Sequence, residues 1–583
     1  MFASGQTDAV RSIRIGNCSG FYGDRISAMR EMLEDGPLDY LTGDYLAELT
    51  MLILGRDQMK DPSLGYAKTF VRQMADTMAL AKERGVKIVT NAGGLNAAGL
   101  ADKLREIAAE QGVDLKVAHV EGDKLSTSEG DFAGALTANA YLGAFGIAAA
   151  LNHGADVVVT GRVTDASVIM GPAIAEFGWQ REDVDALAGA VVAGHIIECG
   201  TQAAGGNYSG FTEFIRTDED RRRPLGFPIA EVAEDGSMVI TKHEGTGGSL
   251  TVDTVPAQLV YEIQGPLYLN PDAAVRLDSI ELAQEGPDRV RVSGIRGQLP
   301  PETTKVCLNS LGGFRNSVEF AITGLDLEEK AAWVKAQMEV ALEANRPDEV
   351  VWNFERTEHE DPASERAAVA LLACHVKSQD PNIVGRAFSS AAVELALASY
   401  AGFHVTAPPG KGSPFGVYSA KYRAQADVPH VVVHHDGSRE EIPAPTQFSD
   451  AESLAAAAAP VPPAPELGAT TRTALGHLAH ARSGDKGGNA NIGVWIPSGH
   501  ARREEAYAWL ANELTADRVR ELLPEAADLP VDVHPLPNLA GLNIVIHGLL
   551  GEGVASSTRF DPQAKGLGEW LRARHTDIPE VLL

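Results

Sequence analysis

Along the first two hundred positions, short β-prone apolar runs alternate with longer stretches whose apolar residues recur at helical spacing. A Gly or Asn turn separates each run from the helix after it. Residues 12–15 lead into GNCSGFYGDR and a helix from about Ile26. Residues 39–42 pass through Gly43 to Asp44, placed to cap the helix YLAELTMLI. Residues 87–90 run into NAGGLN and a helix closed by Gly112. Residues 115–120 end at EGDKL and 156–160 at GRVTD, where Thr164 or Asp165 can cap the next helix. Five such units predict an α/β fold over 10–215, with a parallel sheet flanked by helices.

This pattern bears on chemistry because loops after the C-termini of parallel strands gather along one sheet edge and line the ligand crevice. Asn17, Asp24, Arg25, Asp44, Asn91, Asn96, Asp123, Arg162 and Asp165 all fall in such loops. The expectation is that they meet around one cleft.

Beyond about residue 215 the pattern shortens to alternating runs, FPIAEV, SMVITKHEG and SLTVDTV, separated by turn signals. Helical spacing returns at 327–346 and 381–401, and VYSAKYRAQA with HVVVHHDGSREEI reads as an antiparallel pair. Residues 216–448 are therefore expected to form a mixed α+β second part. Residues 449–470, rich in Ala and Pro, read as a semi-rigid linker. In residues 471–583, strands and helices come in an order that suits a small ferredoxin-like α+β domain.

The chain has 583 residues, 44% of them apolar and 22% charged, an ordinary globular composition that excludes wholesale disorder. A net charge of −29 argues against nucleic acid or an anionic membrane as partner. Four scattered cysteines form no C-x-x-C pair, which fits a reducing compartment. Neither a signal-like start nor an apolar span stands out, so a soluble cytoplasmic protein with a small-molecule ligand is expected. A homo-oligomer is the expected assembly.

Known nucleotide fingerprints fail. Gly16, Gly20 and Gly23 lack the G-x-G-x-x-G spacing, and PPGKGS around Lys411 lacks the P-loop's leading glycine and its hydroxyl after the lysine. VTGRVTDAS is more informative. Arg162 is a permanent cationic fork suited to a carboxylate or phosphate, and Asp165, three residues on, can act as acid or base, pair with it, or cap a helix. In GHIIECGTQAAGGNYSG, His195 and Cys199 are four apart, and Gln202 and Asn207 offer amides for a polar lining. Glu244, in HEGTGG, is a second candidate base. His430, His434, His435 and Asp436 read as hairpin surface, and neither a metal nor another cofactor is expected. ARSGDKGGNANIG gathers Arg482, Ser483, Asp485, Lys486 and Asn489 in what reads as a long loop. A two-residue turn would suffice to join its strands, so such density suggests ligand contact.

Through GNCSGFYGDR, DYLTGDYLAELTM, VTNAGGLN, VTGRVTDAS, AGHIIECGTQAAGGNYSG and ARSGDKGGNANIGV, the chain resembles the AtuA-like acyclic terpene utilisation family from about residue 10 to 575. The resemblance implies a large AtuA domain, a small C-terminal ferredoxin-like domain, and a place in the catabolism of branched acids as CoA thioesters. Combined with the loop residues, it suggests a hydratase or lyase acting on a branched acyl-CoA or related acid by proton transfer. Asp165 or Glu244 would be the base, Arg162 the anion clamp, and the other edge and loop residues the substrate contacts. Two alternatives stand beside it: a noncatalytic acyl-CoA-binding or scaffolding subunit, and a metal hydrolase.

Overall fold

Five parallel strands occupy the middle of an eleven-stranded sheet. The computed structural model describes residues 11–450, 453 and 459–583, so residue 10 and most of the Ala-rich half of the expected linker lie outside the described residues. In chain order the first strands are β1 (Ser12–Asn17), β2 (Tyr40–Gly43), β3 (Lys87–Thr90) and β4 (Val117–Glu121). Then come β5 (Thr137–Ala140), which joins a different sheet, and β6 (Val157–Thr160). The parallel order is β1-β2-β3-β6-β4. Inserting β6 between β3 and β4 reverses the winding there, and ligands gather beside such reversals.

Strand residues alternate between faces, and both faces are covered by helices. Val158 joins the core that includes Ile147, Ile169 and Val191, from helices Phe145–Asn152, Ser167–Phe177 and Val184–Ile197. Val157 and Val159 join Met29, Met74 and Leu100, from Ala28–Glu34, Lys68–Arg84 and Ala97–Gln111. Continuous Val runs are what a strand buried on two sides requires.

The sheet does not stop where the parallel units do. β7 (Pro228–Ala233) pairs antiparallel with β1 and β8 (Met238–Lys242) with β7, so FPIAEV and SMVITK extend the first sheet instead of opening a second part. SLTVDTV contributes to a helix, Thr254–Leu259. The expected pairing of VYSAKYRAQA with HVVVHHDGSREEI is also corrected. Strand Ser413–Ala424 pairs with the long strand Thr303–Thr323, whereas Val431–Val433 pairs with β4 on one side and, on the other, with Arg439–Glu441 at the end of the large sheet. Alternation marks a strand, but the open edge of β4 selected its partner by unpaired backbone groups, which carry no sequence signature.

A separate compact unit comprises residues 310–418 and 555–562. Within it, Val369–Ser378 pairs with Glu349–Glu355 and with the second half of Thr303–Thr323, and helices Leu327–Leu342 and Phe388–Glu394 cover its core.

Residues 471–554 and 563–583 lie with the large sheet in the other unit. Four antiparallel strands run in the order His480–Lys486, Asn489–Trp495, Gly541–Ile546, Val531–Leu536. The expected long loop is a correction: Arg482, Ser483, Asp485 and Lys486 are strand residues, and only Gly487 and Gly488 turn, Gly487 with φ +64°. Two residues do close this hairpin. Helices Arg503–Glu513 and Leu567–Ala573 contribute to the core beneath this sheet. Along its other side, Asn491 Nδ2 donates to the Val260 carbonyl at 2.7 Å and its Oδ1 accepts from the Glu262 amide at 2.8 Å.

Candidate functional site

Three carboxylates from distant parts of the chain meet. Asp44 comes directly after β2, Asp165 lies in the loop after β6, and Glu198 caps the C-terminus of helix Val184–Ile197. One oxygen of each lies within 4.8 Å of the others. Asp44 does not cap the next helix as expected, because that helix starts only at Glu48 and its N-cap is Ala47. Its carboxylate instead accepts from Asn91 Nδ2 at 2.5 Å and from the Leu46 amide at 3.1 Å.

Arg162 lies against this group, 2% exposed. Its Nη1 is 3.0 Å from Asp165 Oδ1 and donates to the Leu46 carbonyl at 3.1 Å. Its guanidinium lies 4.2 Å over the Tyr141 ring. Tyr141 is shared with Lys305, which lies 3.3 Å from Glu48. Burial opposes ionisation of Glu48, but Lys305, Arg162 and Lys486 outweigh it and hold that carboxyl down at about 2. The opposite balance holds among the clustered acids. Burial and then the charge of Asp165 push Asp44 up, and the same two causes push Glu198 up.

The two asparagines hold these groups in place. Asn17 Nδ2 donates to the carbonyls of Ile197 and Glu198, both at 2.8 Å, satisfying acceptors that a helix C-terminus leaves open. Asn91 accepts from the Tyr45 amide at 2.8 Å while donating to Asp44. Both are buried side chains committed to groups of the protein itself, Asn17 also accepting from the Thr42 hydroxyl at 3.1 Å. The expected edge residue Asp123 is likewise buried and accepts from the Arg162 amide at 2.9 Å and from Asn139 at 2.7 Å.

From the C-terminal domain, one face of strand His480–Lys486 reaches the same region, as the two-residue period dictates. Arg482 lies 4.2 Å over Tyr261 and bonds to Gln202 and, at 3.4 Å, to the Asn207 carbonyl. Lys486 Nζ is 5.9 Å from the centre of the Tyr268 ring, and that ring lies 4.7 Å from His195. Burial and then Lys486 push the His195 imidazole down to about 4. Arg482, Ser483 and Lys565 line a pocket of about 230 Å³ with Asn207, Tyr208 and Ser209. Burial and then Glu262 raise Asp485, which faces Lys565 at 3.3 Å, to about 6.

Other predicted positions have local duties. Asn96 is the N-cap of helix Ala97–Gln111, accepting from the Gly99 amide at 3.0 Å. Asn96→Ala is expected to lower stability by about 1 kcal/mol, read from urea unfolding, with the carboxylate cluster unaffected. Asp24 accepts from the amides of Gly20 and Arg25, and Arg25 pairs with Glu31 at 2.6 Å. Ser483 accepts from the Gly568 amide at 2.8 Å, and Asn489 from the Gly548 amide at 3.0 Å. Glu244 sits exposed on the turn after β8, apart from the carboxylate group. Burial and then Glu198 raise the Cys199 thiol well above its ordinary range, the reverse of what a nucleophile needs.

Sequence reasoning passes over Glu198 although it stands between His195 and Cys199 in a motif singled out for its polar residues. The signal available is its helical i, i+3 spacing from His195, whose Nδ1 is 3.4 Å from Glu198 Oε1. Glu48, Glu262, Tyr268 and Lys305 carry no comparable signal.

The acyclic terpene utilisation AtuA family model matches residues 13–434, and the AtuA ferredoxin-like domain model matches 473–577. No curated protein and no solved structure gives a match. Among the described residues, no helix is long and apolar enough to cross a membrane. With a family model spanning well over half its length and a second covering the C-terminal sheet, the chain belongs to the acyclic terpene utilisation family AtuA.

Proposed function

We propose that the protein is a lyase or hydratase that moves a proton on a branched-chain acyl-CoA or related carboxylic acid, with its reacting centre at Asp44, Asp165 and Glu198. The observation that carries this reading is the meeting of those three carboxylates beside Arg162 at the sheet edge where strand order reverses. Asp165 is the member a ligand reaches, with a quarter of its side chain exposed against 8% for Glu198. It takes the proton α to the carbonyl. Arg162 and Lys486 supply positive field for the enolate oxygen that forms, and preorganised charge of this kind is worth most in a buried site. The pocket at Arg482, Lys565 and Asn207 receives the anionic end of the ligand. Acyl groups of the branched, acyclic type fit the family to which the chain belongs.

A panel of branched acyl-CoAs and free acids, screened by thermal shift, should contain members that raise the melting temperature by mass action. For such a ligand in D₂O, NMR should show wash-out of its α-proton, slowed at least about 100-fold in Asp165→Asn. A ligand that binds without any exchange would overturn the reading in favour of a noncatalytic acyl-CoA-binding subunit.

A further inference from the structure

We infer that Asp44, Asp165 and Glu198 form a binding site for one hard divalent cation of the Mg²⁺ or Mn²⁺ class. The geometry is that of a three-point oxygen cage, with an oxygen of each carboxylate within 4.8 Å of the others. Two atoms beyond the mere gathering of acids point to a missing ligand. Glu198 is 6% exposed, yet its Oε2 has no hydrogen-bond partner. His195 is 3% exposed, and its Nδ1, also without one, is aimed at Glu198 Oε1 from 3.4 Å. Buried polar atoms left open in this way are rare in native proteins and call for an explanation such as an ion.

Donor chemistry selects the class. Carboxylate oxygens suit Mg²⁺ and Mn²⁺, and three protein donors leave positions for water and substrate, as Mg²⁺ sites usually do. Zinc sites prefer sulfur and several imidazoles, and among the described residues the cluster holds three carboxylates with His195 beside Glu198. Ca²⁺ takes six to eight oxygens and is the weaker fit. No linear motif announces the site, because its donors come from positions 44, 165 and 198.

The inference deepens the proton-transfer reading and relies on it only for what the cation does. Bound here through one oxygen of Asp165, which leaves the other oxygen to take the proton, it would polarise a carbonyl oxygen of the ligand as a Lewis acid. Binding itself is tested without substrate. After EDTA treatment and desalting, the full chain should bind one Mn²⁺, seen by EPR as loss of the free-ion signal and displaced by excess Mg²⁺. Glu198→Gln and Asp44→Asn should each weaken Mn²⁺ at least tenfold, with unchanged circular dichroism spectra, and Glu244→Gln should bind like the parent. A parent chain that leaves the Mn²⁺ signal free overturns the inference, as does binding that both cluster variants retain at parental strength. α-Proton wash-out that persists in EDTA would remove the cation from the chemistry and leave the proton-transfer reading standing. Tight Mn²⁺ binding without wash-out on any ligand would do the reverse.

Discussion

Replacing Arg162 by Met lowers the free energy of unfolding by about 3 kcal/mol, because it strips the paired cation from a group of buried acids. Urea unfolding at pH 7 in EDTA measures the loss, with EDTA ensuring that no divalent ion takes over the compensation. Met keeps most of the side-chain volume, so the change isolates charge from packing against Tyr141. The pair-specific part is exposed by a cycle. Asp165→Asn in the Arg162→Met background should recover at least half of the loss, since Asp165 Oδ1 is the guanidinium's nearest acid at 3.0 Å. Strictly additive losses would show that the two side chains do not compensate one another.

The parallel half of the fold is legible because its signals are local. A short apolar run, a Gly or Asn turn and a helix succeed one another within about thirty residues, and β1, β2, β3 and β6 have that form, whereas β4 is followed by β5 of another sheet. Edge residues such as Asp44 and Arg162 are placed by strand direction alone. The hidden part depends on partners. β7 and β8 read correctly as strands, but nothing in FPIAEV says that it lies beside β1. ARSGDKGG reads as a loop because its strand residues are polar where a core would demand apolar ones. Arg482 and Lys486 are polar because that face meets Tyr261, Gln202 and Tyr268 instead of a core. Polar strand faces of this sort are where a site breaks the local rule. Glu262, on a left-handed backbone at φ +56°, reaches the same region from the segment after helix Thr254–Leu259. Its relation to Glu198 and Lys565 is purely tertiary.

That polar face makes a second demanding prediction, which concerns the seating of the C-terminal sheet. A Cβ added at Gly493 would collide with the Val260 side chain, and one at Gly484 with the Tyr261 ring. Each glycine is there because another segment presses against its Cα. Gly493→Leu therefore wedges strand Asn489–Trp495 away from Val260, breaks the Asn491 bond to the Val260 carbonyl, and costs about 1–3 kcal/mol as overpacking. The functional loss should be larger than the stability loss. Lys486 and Arg482 ride on the neighbouring strand, so the wedge withdraws both cations from Glu198 and Gln202 together. Trp495 reports the event, because it is fully buried within the core of the large sheet and its fluorescence should shift to the red when that contact opens. Gly499→Ala, where an added Cβ meets nothing within 4 Å, serves as the control and should leave both midpoint and spectrum unchanged. A Gly493→Leu protein with parental Trp emission and parental α-proton exchange would mean that the C-terminal strand contributes nothing to the carboxylate site.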